Sequence, residues 1–329
     1  MLLYEFAMTP DLFDPLVVGL NPRLEIILVE LLRGMCDNGL VANLHNEGWH
    51  KHVISRLRGL SPELQHQVIE CFNTLYDRNR LVAHPARNGG DPADDHDWLE
   101  LALVSHRRIP FHSIFLSQGL LDLRLQCDPT FQEAACIEFS CALNSPLWRG
   151  RSQTLPLTQS LADYRRALTP ILRHARALTL VDPYLTPHER RFYGTVELCA
   201  QLLGQRGFET RAGRIHIHAG DPTARTARNQ EPVRDRLAAW ASRLQPLVRR
   251  FRHRFKVFLW GRRPGGELFH DRYILTDQCG ISVPAGLDYR NPPSRTTWTL
   301  LDNSTYLSRL QDYDQPTSPF DLLGMREIR

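Results

Sequence analysis

His270 and Arg272, in Phe269-His-Asp-Arg-Tyr-Ile-Leu-Thr-Asp277, are the residues of this chain whose types and spacing best suit chemistry on a phosphate. An imidazole can attack or move a proton near neutral pH, and a guanidinium offers planar, paired donors to the non-bridging oxygens. In an extended strand residues i and i+2 share a face, so His270 and Arg272 are expected to project together while Asp271 and Tyr273 face the other way. Asp277 lies five residues beyond Arg272, and Gly280-Ile-Ser-Val-Pro-Ala-Gly-Leu-Asp288 follows directly.

The charge around this run favours a polyanionic partner. The formal net charge is only +4, yet Arg243, Arg249, Arg250, Arg252, Arg254, Lys256, Arg262 and Arg263 fall within one stretch that contains no acid and leads into His270. A stripe of this kind suits nucleic acid first and an anionic lipid head group second. By itself it also fits an ordinary solvated helix face.

At 329 residues, 42% hydrophobic and 23% charged, the chain is expected to form two domains with separate cores and little disorder. No apolar run reaches the roughly 18 residues of a membrane span, and Met-Leu-Leu-Tyr-Glu lacks the basic start of a signal peptide, so a cytoplasmic location is expected. Seven cysteines without a Cys-x2-Cys pair argue against a disulfide framework or a zinc ribbon and read as buried thiols. His216 and His218 share a strand face, but no third ligand lies near them in sequence, so neither a metal nor any other cofactor is expected.

These residues need elements to position them. The first hundred residues read as helical. Leu24 to Arg33 carries apolar residues at i, i+3 and i+4 after Asn21-Pro22, and Ser61-Pro62 opens a helix through Val68, Ile69, Phe72 and Leu75. Breakers at Pro85 and Asn88-Gly-Gly-Asp-Pro92 stop it. Residues 101–150 are ambiguous, with a short strand possible within 108–116. Turn-forming residues accumulate between Asn144 and Pro156, which divides the chain into a mainly helical domain over 1–150 and a second domain over 155–329. In the second, helices at 159–176, 188–204, 231–252 and 303–312 alternate with strands at 177–182, 213–219, 255–260, 268–276, 280–284 and 296–301. That pattern predicts a layered α/β domain with ligands near strand C-terminal ends, where Asp182 and His218 fall.

The spacing His-x-Arg-x4-Asp resembles the His-x-Lys-x4-Asp signature of the phospholipase D superfamily, with arginine in place of lysine, and Ala285-Gly-Leu-Asp288 stands where that superfamily has a Gly-Ser-x-Asn turn. Together with Val181-Asp-Pro-Tyr-Leu185 and Leu198-Cys-Ala-Gln-Leu202, the region 155–329 is similar to the phospholipase-D-like C-terminal domain of MIT-domain proteins. The resemblance implies a phosphodiesterase or nuclease with His270 as nucleophile or general base, Arg272 as phosphate clamp, Asp277 and Asp288 in support, and Asp182 and Tyr184 lining the same site. His218, Arg262 and Arg263 complete the substrate-binding set. Such enzymes assemble two motif copies around one phosphodiester, and this chain carries one. Either two chains pair as a homodimer, or the domain serves as a phosphate-binding adaptor without turnover. Domains of this kind in bacteria are associated with defence against phage or plasmids, in which the chain would be one component of a multi-protein system.

A second resemblance is confined to Arg78-Asn79 and His84, which fit the Arg-x4-6-His signature of HEPN ribonucleases in a helical setting. It implies metal-free attack by a ribose 2′-hydroxyl, usually across a dimer. The same residues also suit plain helix termination, with Arg78 and Arg80 complementing the helix dipole and His84-Pro85 stopping the helix.

Overall fold

The structure is a computed structural model that describes residues 1–19, 21–85, 91–205, 212–220, 232–267, 269–314 and 317–329. It is a mixed α/β protein with two sheets, and it divides into two compact units, Leu3–Ser152 and Gln153–Arg329, the latter together with Met1–Leu2. The division falls within the turn-rich stretch 144–156. The turn expected at Asn88-Gly-Gly lies outside the described residues, as do Leu268 and Glu231, the first residues of a predicted strand and a predicted helix.

The N-terminal unit departs from the mainly helical domain expected of it, although the short strand considered within 108–116 is present at Ser113–Leu116. Its centre is a five-stranded parallel sheet of β1 (Tyr4–Met8), β2 (Gly39–Asn43), β3 (Leu81–Ala83), β4 (Ser113–Leu116) and β5 (Cys136–Glu138), in the order β3-β2-β1-β4-β5. Around it stand α1 (Pro22–Asn38), α2 (Gly48–Leu57), α3 (Pro62–Asp77), α4 (Asp95–Arg108), α5 (Gln118–Cys127) and the single turn α6 (Pro146–Arg149). The physical reason for the difference is plain in β1, β2 and β4, where every residue is buried. Parallel strands covered on both faces show no polar alternation, and runs this short cannot be told from helix by period. The two helices read from sequence do form. Asn21 accepts the Arg23 N–H and Ser61 the Leu64 N–H as caps, each with proline at the first helical turn.

The C-terminal unit is built on an eight-stranded mixed sheet. In chain order its elements are β6 (Thr154–Thr158), α7 (Leu161–Leu172), β7 (Ala177–Val181), α8 (Arg190–Leu202), β8 (Arg214–Gly220), α9 (Val233–Phe251), β9 (Arg254–Gly261), β10 (Tyr273–Thr276), β11 (Gly280–Ser282), β12 (Arg295–Leu300), α10 (Asn303–Asp312) and β13 (Asp321–Ile328). The sheet order is β13-β9-β8-β7-β10-β11-β12-β6. β7, β8 and β9 run parallel, and the remaining pairings are antiparallel. β13 forms one edge, with a register shift between Leu322 and Gly324.

The expected α9 stripe is present. Leu237, Trp240, Leu244 and Leu247 are buried, with Val233 and Phe251 half-buried at its ends. Residue pairing then fixes where a site can form. Val181 pairs with both His218 and Tyr273, and Tyr273 pairs in turn with Ser282. The end of β7, the last turn of β8, the start of β10 and the end of β11 therefore share one edge, and the loops beyond them converge there.

Candidate functional site

A cleft of about 540 Å³ opens at this edge, within the C-terminal unit. Its lining includes Asp182, Tyr184, His188, Glu189, Arg191, Arg236, Arg272, Gly286, Asp288 and Arg290. Asp182 directly follows β7 and is almost fully buried. Its carboxylate accepts the backbone N–H of Tyr184 at 2.9 Å and of Leu287 at 3.0 Å, and lies 3.6 Å from Arg272 Nε. Burial pushes its pKa up, while the two N–H groups and the Arg272 charge oppose that push. One carboxylate thereby ties the loop after β7 to the loop after β11 and to the start of β10.

Asp288 does the same for two further cations. Its side chain is 7% exposed, and its Oδ2 lies 3.3 Å from Arg191 Nη1 and 3.2 Å from Arg290 Nε. Arg191 also donates to Glu189, and Arg272 to the carbonyl of Pro284. Arg191 and Arg290 remain about half exposed, at 47% and 48%, so each keeps donors facing solvent. The Arg272 guanidinium sits 5.0 Å from the Tyr184 ring centroid. The Asp288 carbonyl is held from behind by the Tyr164 hydroxyl at 3.0 Å and by Gln159 Nε2 at 3.2 Å, both on buried residues. Arg236, on α9, donates to the Gly220 carbonyl at 2.7 Å and borders the cleft from that helix.

The turn carrying Asp288 needs glycine. Gly286 has φ +91°, and a Cβ there would lie 3.0 Å from Asp182 Oδ2 and 3.2 Å from Asp288 Oδ1. Gly286→Ala is expected to lower the unit's stability by about 1–3 kcal/mol, read by urea unfolding. A variant with an unchanged midpoint would show that the turn tolerates the methyl group.

The sequence matches no protein-family model and no curated protein. Among solved structures it is similar to TrmBL2, an archaeal chromatin protein whose structure shows a novel mode of DNA binding. That similarity spans 82% of this chain and 88% of the other at 9% identity, and its TM-score of 0.26 carries no argument about fold or ligand.

Four residues chosen from sequence, Asp182, Tyr184, Arg272 and Asp288, thus line one cleft. The others lie elsewhere. The strand expected from residue 268 begins at Tyr273, so His270 is an exposed loop residue and is not among the cleft-lining side chains. In this loop the Phe269 ring packs on Tyr313 and Phe320 beside the aromatic core. Asp277 sits at the far end of β10, where it accepts the Arg176 N–H at 2.9 Å and anchors the start of β7. His218 is buried, stacked on Phe258 at 4.4 Å, and its Nδ1 accepts the Trp260 indole N–H at 2.9 Å. Burial holds its pKa well below the usual histidine value, which makes it a neutral core residue. Arg262 and Arg263 are exposed beyond β9 and do not line the cleft, and Arg263 pairs with Asp321 at 3.3 Å.

The Arg78 and His84 pair is separated by β3. Arg78 donates to the Cys36 carbonyl at 2.8 Å near the end of α1, as Arg80 also does. His84 is buried and its Nε2 faces Glu5 Oε1 at 3.1 Å. Both side chains bond within the N-terminal unit, and the parallel sheet there differs from the helical setting expected around them. In the same unit, ligand atoms of Asp94, His96 and Asp97 lie within 4.8 Å of one another, but Asp94 is the cap of α4 and accepts the Asp97 N–H at 2.9 Å.

Sequence reading missed His188, Arg191, Arg236 and Arg290. Arg290 carried a usable signal, standing two residues after Asp288 in the motif already singled out. Arg236 carried none, because only the packing of α9 brings it to the cleft.

Proposed function

We propose that residues 153–329 form a phospholipase-D-like module that binds nucleic-acid phosphates in this cleft. The observation that carries the reading is a pair of half-exposed guanidiniums, Arg191 and Arg290, held on the single Asp288 carboxylate oxygen beside Arg272. Guanidiniums fixed in this way present preset forks to phosphate oxygens, and the supporting carboxylate reduces their mutual repulsion. The exposed face of α9 adds Arg249 near the same unit's surface, while Arg250 pairs with Glu197 and Arg243 covers the Tyr193 ring.

The adaptor form of the reading, binding without turnover, is favoured because His270 stands outside the cleft lining. Hydrolysis through His270 is the second reading, supported by its exposed imidazole two residues from Arg272. Fluorescence anisotropy with a labelled oligonucleotide separates them. Arg191→Ala and Arg290→Ala are each expected to weaken binding about tenfold and to reduce the salt slope by about 0.7 on a single strand. Unchanged affinity and salt slope in both variants would show that the cleft has no role in binding. Cleavage of the oligonucleotide by the wild type in EDTA, lost in His270→Ala, would replace the adaptor by the enzyme.

A further inference from the structure

The cleft holds an aromatic surface that phosphate binding does not use. Tyr184 is 42% exposed although it lines the cavity, whereas its aromatic neighbours there, Phe192 and Trp240, are almost fully buried. Among the described residues, the exposed large apolar side chains include two aromatic ones, Tyr76 and Tyr184, and of these Tyr184 belongs to the cleft. Burying an aromatic ring is favourable, so a ring kept half open in the lining of a polar site is a surface available to a ligand.

The ring is also held in place before any ligand arrives. The Tyr184 backbone N–H is bonded to Asp182, and the guanidinium of Arg272, itself paired with Asp182, lies 5.0 Å from the ring centroid. Arg191 and Arg290, both on Asp288, line the same cavity. Three guanidiniums and a half-exposed aromatic ring lining one cavity match a nucleotide, with its phosphate and its base. A volume of about 540 Å³ lies within the range of small-ligand sites. The base faces of a double helix are stacked inside it, so an unpaired nucleotide is the form that can offer a base face to Tyr184.

We propose that the cleft takes single-stranded nucleic acid, with one unpaired base stacked on Tyr184 and the adjoining phosphates on Arg191, Arg272 and Arg290. This rests on the phosphate-binding reading above and adds the base to it. Stacking on an aromatic face is tolerant of base identity, so recognition is of strandedness and not of sequence.

The test compares labelled 12-mer probes in three forms: a deoxythymidine single strand, an abasic deoxyribose-phosphate strand of the same length, and a duplex. Tyr184→Ala is expected to weaken binding of the base-bearing single strand about tenfold, to leave the abasic strand unchanged, and to be rescued by Tyr184→Phe. The duplex is expected to bind more weakly than the single strand. Equal affinity of the wild type for base-bearing and abasic strands, or an unchanged Tyr184→Ala, would overturn the stacking role. If Arg290→Ala still weakens both strands in that case, the phosphate reading stands and only the base contact fails. If Arg290→Ala changes neither strand, or none of the probes binds, both readings fail together. Circular dichroism of Tyr184→Ala, matched to wild type, separates a lost contact from a lost fold.

Discussion

Asp182→Ala is expected to lower the stability of the C-terminal unit by about 3–5 kcal/mol, the range for removing one partner of a buried, hydrogen-bonded ion pair. The substitution leaves the Tyr184 and Leu287 N–H groups without their acceptor and the Arg272 side chain, 18% exposed, without its carboxylate. Because those partners belong to three separate loops, the loss should be felt as loosening of the whole cleft. Amide hydrogen exchange reads this directly, since both N–H groups should lose protection while amides in β8 and β9 keep theirs. Asp182→Asn retains one acceptor but turns an NH2 toward the second N–H, so it should fall between wild type and alanine. Full protection at Tyr184 and Leu287 in the alanine variant would show that the carboxylate does not hold the loops together.

Acid should weaken the N-terminal unit through His112. Its Nδ1 accepts the Glu5 N–H at 2.8 Å, a bond that needs the neutral ring and reinforces the 2.7 Å backbone bond from the His112 N–H to the Glu5 carbonyl between the start of β4 and β1. Burial pushes its pKa down to about 4 from an ordinary 6.5. The folded chain therefore declines a proton that the unfolded chain accepts below pH 6.5, and folding stability rises with pH across that window. The contribution is fully present above pH 6.5 and is lost as pH falls toward 4, amounting to about 3 kcal/mol for a shift of this size. Urea unfolding of wild type and His112→Asn at pH 7 and pH 4.5 checks it. The wild type should lose more stability on acidification than the variant, whose side-chain oxygen can accept the same N–H without titrating. Equal losses would assign the acid sensitivity to other groups.

Legibility of this chain followed the length and exposure of its elements. Helix α9 announced itself because Leu237, Trp240, Leu244 and Leu247 repeat at helical spacing on a polar background. β1 and β2 did not, since Tyr4–Met8 and Gly39–Asn43 are short and buried throughout and pair only through residues distant in sequence. Reading them as parts of helices turned a parallel α/β unit into a helical one. The site divides in the same manner. Asp182, Tyr184, Arg272 and Asp288 fall in short motifs that can be read locally, whereas Arg191 and Arg236 lie on different helices and join them only through tertiary packing. His270 was misplaced by a boundary error at the start of β10. Three residues at a strand end decide whether an imidazole faces a partner or solvent.

The outer strand β13 bears on how this protein behaves at high concentration. It carries exposed Leu322, Leu323 and Met325 along a sheet edge, the kind of surface onto which another chain could add a strand. Two features oppose that outcome. The register shift between Leu322 and Gly324 breaks the regular spacing of the open hydrogen-bonding edge, and Asp321, Arg326, Glu327 and Arg329 place charge along and beside it. The irregularity in β13 thus makes a regular added strand less favourable along this edge, although Leu322, Leu323 and Met325 stay in view of solvent.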